Sequence, residues 1–102
     1  MSISAAIGIS VSGMQAQTTR LSATANNIAN ATTPGYARQT TNLSSVATGG
    51  VSATVTSSGD QGVDMLTEVT DMLGAKQAFA ANAAAFETGA DMWQVLMTIK
   101  RD

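Results

Sequence analysis

Residues 7–36, IGISVSGMQAQTTRLSATANNIANATTPGY, hold a heptad-patterned run followed by its own stop signal. Ile7, Val11, Met14, Thr18, Leu21, Ala25 and Ile28 are spaced alternately by four and three, as in the a/d seam of a heptad repeat. Only Thr18 among them is polar. The spacing predicts a helix from about Ser4 to Ala29, roughly 40 Å long at about 1.5 Å per residue. The cluster Asn26, Asn27 and Asn30, followed by Pro34-Gly35, ends it, with Asn30 expected as a left-handed cap.

The same spacing recurs at the other end. Met65, Val69, Met72, Lys76, Phe79, Ala83, Phe86, Ala90, Trp93 and Met97 form a second seam, widened by Leu66, Leu73, Leu96 and Ile99. A helix is expected from about Val63 to Lys100, on the order of 55 Å long. Asp64, Glu68 and Asp71 fall in its first turns and Lys100 and Arg101 in its last, as the helix dipole favours. Lys76 interrupts the seam and is expected either to snorkel outward, the favoured reading, or to specify register as an isolated polar seam residue can, and Trp93 is expected to anchor packing.

Between the two, residues 32–62 are rich in Thr, Ser and Gly. Val51 to Thr56 alternates as a strand does, Thr33-Pro34-Gly35 suits a turn, and Tyr36 to Leu43 supplies an extended partner. The chain thus divides into an N-terminal helix (1–31), a connecting segment with short strands (32–62) and a C-terminal helix (63–102). The expected fold class is mainly α: an antiparallel pair of long coiled-coil helices joined by a short β-hairpin-like segment.

One domain fits 102 residues, and the chain has one Pro, no Cys and no His. Disulfides, thiol chemistry, zinc fingers and histidine-based triads are excluded on residue type alone. Asp60-Gln61-Gly62-Val63-Asp64 lacks the ligand spacing of a calcium loop, so no metal site is expected. Gly8 to Gly13 is not a nucleophile elbow, since no strand precedes it. Catalytic residues, cofactors and a small-molecule substrate are therefore not expected, and the chain is not read as an enzyme.

The net charge is −2, unevenly spread. Residues 1–59 carry only Arg20 and Arg38, while all seven acids lie from Asp60 onward with Lys76, Lys100 and Arg101. The halves are complementary, but five scattered cations make no stripe for nucleic acid. Residues 3–14 are apolar without a basic run ahead of them, and no apolar stretch reaches about 18 residues. Neither a cleaved signal peptide nor membrane insertion is expected.

Two helices packed along one seam normally leave charged outer faces. Here Arg20 is the one charged side chain in residues 1–31, and none occurs from Gln77 to Phe86. Gly8, Gly13, Gly74 and Gly89 each cost about 0.8–1 kcal/mol relative to Ala in a helix interior. Both features imply terminal segments that are largely unstructured in the dilute monomer and become helical when neighbouring subunits cover them.

Residues 25–38, ANNIANATTPGYAR, closely resemble the N-terminal signature of the bacterial flagellar axial proteins, which comprise rod, hook and hook-associated subunits. The residues that carry it are Asn26, Asn27, Ile28, Asn30, Thr33, Pro34, Gly35 and Tyr36. Val63-Asp64, Glu68 to Met72, Lys76 to Phe79, Ala81-Asn82 and Leu96 to Arg101 are similar to the family's C-terminal helix. With its short connection the chain most resembles a proximal rod protein.

The resemblance implies a structural subunit of the basal-body rod that assembles helically through its terminal helices and transmits torque. Its partners would be copies of itself, other rod and hook subunits, and the flagellar type III export apparatus, which takes subunits without a cleaved signal. Ile7, Val11, Met14, Leu21, Ile28, Met65, Val69, Met72, Phe79, Phe86, Trp93 and Met97 would be the assembly seam. The alternative is a small secreted helical hairpin that forms discrete dimers, although the Trp-x-Gly turn expected of such bundles is missing.

Overall fold

The structure is a computed structural model that describes residues 2–101, excluding the side chains of residues 58, 60, 61, 100 and 101. The element order is α1 (Ile3–Ala29), β1 (Ala37–Ser45), β2 (Val51–Gln61) and α2 (Met65–Arg101). The molecule is a narrow rod of 66 × 25 × 14 Å. Ser2 caps α1, its side chain accepting from the Ala5 N–H at 3.0 Å. Asp64 does the same for α2, accepting from the Leu66 N–H and the Thr67 hydroxyl. The expected dipole role of Lys100 and Arg101, like the carboxylate of Asp60, lies outside the described residues.

Thr33 to Tyr36 forms a turn closed by the Tyr36 N–H donating to the Thr33 carbonyl. Pro34 and Gly35 are its central residues, and Gly35 takes φ +75°, which suits glycine at that position. β1 and β2 then pair antiparallel, with Thr40 opposite Thr56 and Ser45 opposite Val51. The hairpin lies back along α1, and its tip is pinned there: the Val51 N–H donates to Ser12 Oγ, which itself donates to the Ile9 carbonyl. The hairpin backbone approaches α1 but, among the described residues, not α2.

The expected fold is corrected in three places. The connecting segment is a regular hairpin of strands of 9 and 11 residues, longer than the short strands anticipated. Asn30 is not a left-handed cap, since its φ is −106° and its side chain bonds back to Asn26. Most importantly, the helices do not form a coiled coil through the heptad seams.

What α1 buries is Ser10, Gly13, Ala16, Gln17, Ala23, Thr24 and Asn27. α2 buries Glu68, Ala75 and Gly89. The line Ser10, Gly13, Gln17, Arg20, Thr24, Asn27 keeps the heptad period but sits one residue before the apolar seam, and Glu68, Asp71, Ala75, Ala78, Asn82, Gly89 stands in the same relation to the seam of α2. The physical reason is close approach. A Cβ on Gly13 would lie 2.6 Å from Asn82 Oδ1, and one on Gly89 would lie 2.9 Å from Ile7 Cγ1. Glycines that count against helix propensity thus let the two backbones meet.

Gly8, by contrast, has nothing within 4 Å of where its Cβ would stand. Gly8→Ala is expected to raise helical stability by up to about 1 kcal/mol. Gly13→Leu should lower it by about 1–3 kcal/mol through overpacking. Amide exchange in α1 measures both, and an equal response of the two variants would contradict the assigned contact face.

Candidate functional site

Two features distinguish this molecule: a buried polar junction where three elements meet, and an apolar face that the described residues leave largely open. The junction gathers at the end of α1, the start of β1 and the first turns of α2. Its largest fully buried side chains are Glu68, 0% exposed, and Asn27, 1% exposed.

Asn27 uses its whole amide. Oδ1 accepts from the Gln39 N–H at 2.8 Å and from the Tyr36 hydroxyl at 2.9 Å. Nδ2 donates to the Gln39 carbonyl at 2.8 Å and to Glu68 Oε2 at 3.2 Å. An asparagine offers two donors and two acceptor sites, and all four are taken. Toward Gln39 it acts as a neighbouring strand would, pairing both backbone groups and so tying β1 to α1.

Glu68 is held on its other oxygen by Arg38 Nε. Arg38 also reaches Asp71 Oδ2 at 3.2 Å and Thr40 Oγ1 at 3.4 Å, while Arg20 meets Asp71 Oδ1 at 3.4 Å. Both cations of the first half of the chain therefore find the carboxylates in the first two turns of α2. Removing a charge from water costs several kcal/mol per ion, so a carboxylate as enclosed as Glu68 persists only because Arg38 and Asn27 both engage it. The remaining polar signature residues support the junction from outside: Asn26 donates to Gln39 Oε1, Asn30 Nδ2 to Asn26 Oδ1, and the Thr33 hydroxyl to Asn30 Oδ1.

The apolar face consists of the heptad seams themselves. One residue along a helix is a rotation of about 100°, and in an antiparallel pair equal offsets from the contact line swing both seams to the same side. Leu21 and Phe79 accordingly line one groove of about 340 Å³ with Gln17, Thr18 and Lys76, and its walls are almost wholly apolar. The hairpin occupies the opposite side of α1, over Ala23 and Asn26.

Of the expected seam, Ile7, Val11, Met14, Ile28 and Met72 are half-buried, and Leu21, Met65, Val69, Phe79, Phe86, Trp93 and Met97 are exposed. Lys76 is exposed at the groove and Trp93 is 49% exposed. Among the described residues no group of acids is placed to hold a metal ion, and no helix is long and apolar enough to cross a membrane.

Residues 7–36 match the family model described as "Flagella basal body rod protein", and residues 60–99 match the one described as "Flagellar basal body rod FlgEFG protein C-terminal". The chain belongs to the flagellar basal body rod family. It is a structural component of the flagellar basal body. No individually curated protein matches it. The polar junction joins the two matched segments of this rod-family chain, Asn27 and Tyr36 coming from the first and Glu68 and Asp71 from the second. Arg38 and Gln39 come from the stretch between them.

Sequence reasoning placed Asn27 and Arg38 in the signature and Glu68 in a first turn, but it did not bring them together. It also missed the small-residue contact line, for which the signal was present: Ser10, Gly13, Gln17, Thr24 and Asn27 keep heptad spacing as faithfully as the apolar seam does.

Proposed function

We propose that this chain is a subunit of the axial tube of the rod, assembling helically through α1 and α2 and transmitting torque along the tube. The observation that supports this reading is the inversion of the usual core. Among the described residues sixteen large apolar side chains are exposed, while the buried hydrophobic residues are three alanines, Ala16, Ala23 and Ala75. Fully burying a large apolar side chain contributes about 1.5–3 kcal/mol, and these side chains, 37–75% exposed, leave much of that gain to be made. The seam residues from Ile7 to Ile28 and from Met65 to Met97 are then contacts between subunits, which supply the burial the single chain lacks.

Partners in this reading are further copies, other rod and hook subunits, and the type III export apparatus that delivers them without signal cleavage. No catalytic role is assigned. The test is to purify hook-basal bodies from the source organism and quantify this polypeptide by mass spectrometry against a known rod subunit. A fixed stoichiometric ratio is the expected result. Absence from basal bodies of cells that express the chain would overturn the reading, and a discrete dimer in solution would then favour the secreted helical hairpin.

A further inference from the structure

The hairpin is fastened very unequally along its length. At its base Asn27 takes both backbone groups of Gln39, and Arg38 is held by Glu68 and Asp71. At its tip, among the described residues, the polar link to α1 is one hydrogen bond, from the Val51 N–H to Ser12 Oγ at 3.2 Å, beside the approach of Gly49 to Ile9. Between these two points the hairpin spans α1 more than it packs on it. A cleft of about 730 Å³ lies between Val55 and the Thr18, Thr19 and Ser22 stretch of α1, and another of about 300 Å³ lies between Leu43 and Thr24.

Alternation along the ladder puts Thr41, Leu43 and Val55 on the face that carries Gln39. Leu43 and Val55 are nevertheless 44% and 40% exposed. Thr41 Oγ1 is buried with no hydrogen-bond partner among the described residues, a burden that lifting the hairpin into water would relieve. Little apolar burial together with an unmet hydroxyl marks a region that opens at low cost. The hairpin is well knit within itself, however. Its register runs unbroken from Gln39 opposite Ser57 to Ser45 opposite Val51, Asn42 and Ser44 bond across to Thr56 and Ser52, and the Val46 N–H donates to the Gly50 carbonyl to close the tip.

We propose that the distal hairpin is a strap latched on α1 by Ser12, which lifts as one unit about the Asn27–Gln39 clamp and bares the side of α1 opposite the apolar seams. Ser12 serves as the latch because its hydroxyl is already oriented: it donates to the Ile9 carbonyl at 2.7 Å and so turns its acceptor side to the Val51 N–H. Gly50 allows closure, since a Cβ there would stand 2.7 Å from Ser12 Oγ. The inference does not depend on the assembly reading. It gives α1 a second face that is covered in one state of the chain and free in the other.

The chain has no cysteine of its own, so nitroxide labels can be placed at Thr48→Cys on the tip and Gln94→Cys on α2, both exposed positions. Pulsed dipolar spectroscopy on the dilute full-length chain reads the distance between them, with Ser12 intact and in Ser12→Ala. The expected result is a short distance with a minor longer one, the longer fraction rising several-fold in Ser12→Ala while amide exchange at Gln39 stays unchanged. A single, identical distance in both chains would overturn the strap. Loss of protection at Gln39 in Ser12→Ala would overturn it as well, because the base would then open with the tip. A broad distribution lacking the short distance when Ser12 is intact would show that no latch holds.

Discussion

Arg38→Ala is expected to be among the most damaging substitutions in the molecule. It leaves the carboxylate of Glu68, 0% exposed, with Asn27 as its remaining side-chain partner at the junction. Removing one member of a buried ion pair costs about 3–5 kcal/mol, most of it from the stranded charge. Glu68→Ala should cost less, because Arg38 keeps Asp71 and is itself 24% exposed. Arg38→Met combined with Glu68→Leu should recover most of the loss, since an apolar pair of similar volume leaves no charge to strand. Amide exchange at Gln39 reports the junction locally. If ordering the junction is part of joining the assembly, the concentration needed for assembly should rise roughly a hundredfold to a few thousandfold in Arg38→Ala. Equal effects of Arg38→Ala and Glu68→Ala would refute the assigned burial.

Leu21→Asp, and separately Phe86→Asp, should abolish incorporation into the rod while leaving the junction intact. Leu21 is 42% exposed and Phe86 is 37% exposed, so a carboxylate at either site remains hydrated in the isolated chain. In an assembly that covers the seam face, the same carboxylate loses its water without gaining a cation, at a cost of several kcal/mol. The apolar burial at that position is lost as well. Unchanged exchange at Gln39, together with loss of the polypeptide from purified basal bodies, is the expected pattern. Leu21→Met should incorporate normally. Incorporation of either aspartate variant at wild-type level would remove the seam from the assembly interface.

Comparing these two sites shows why one was legible in the sequence and the other was not. The helices, their approximate limits and the turn at Pro34-Gly35 follow from period, capping and turn chemistry, all of which act within a few residues. The heptad period was also correct on both helices. Its phase within the chain was not, because choosing the seam by side-chain size assumes that the largest apolar residues pack against their own chain. Here Gly13 and Gly89 bring the backbones too close for that, and small residues occupy the contact line.

The polar junction was hidden for a different reason. Asn27, Arg38 and Glu68 are separated by up to 41 positions, and no local rule pairs them. The uneven charge distribution was a faint pointer, since Arg20 and Arg38 had acids available to them only beyond Asp60. Their meeting with Glu68 and Asp71 depends on the antiparallel register of α1 against α2 and on the turn that carries β1 past the end of α1.

The sequence by itself determined two amphipathic helices, an intervening extended segment and a surface poor in charge. These are consequences of spacing and composition. Only the tertiary structure decided which face of each helix is spent within the chain. Close backbone approach at the glycines and the demands of one buried carboxylate turn the helices about 100° from the pairing that hydrophobicity suggests. That rotation leaves the large apolar seams together on one open side.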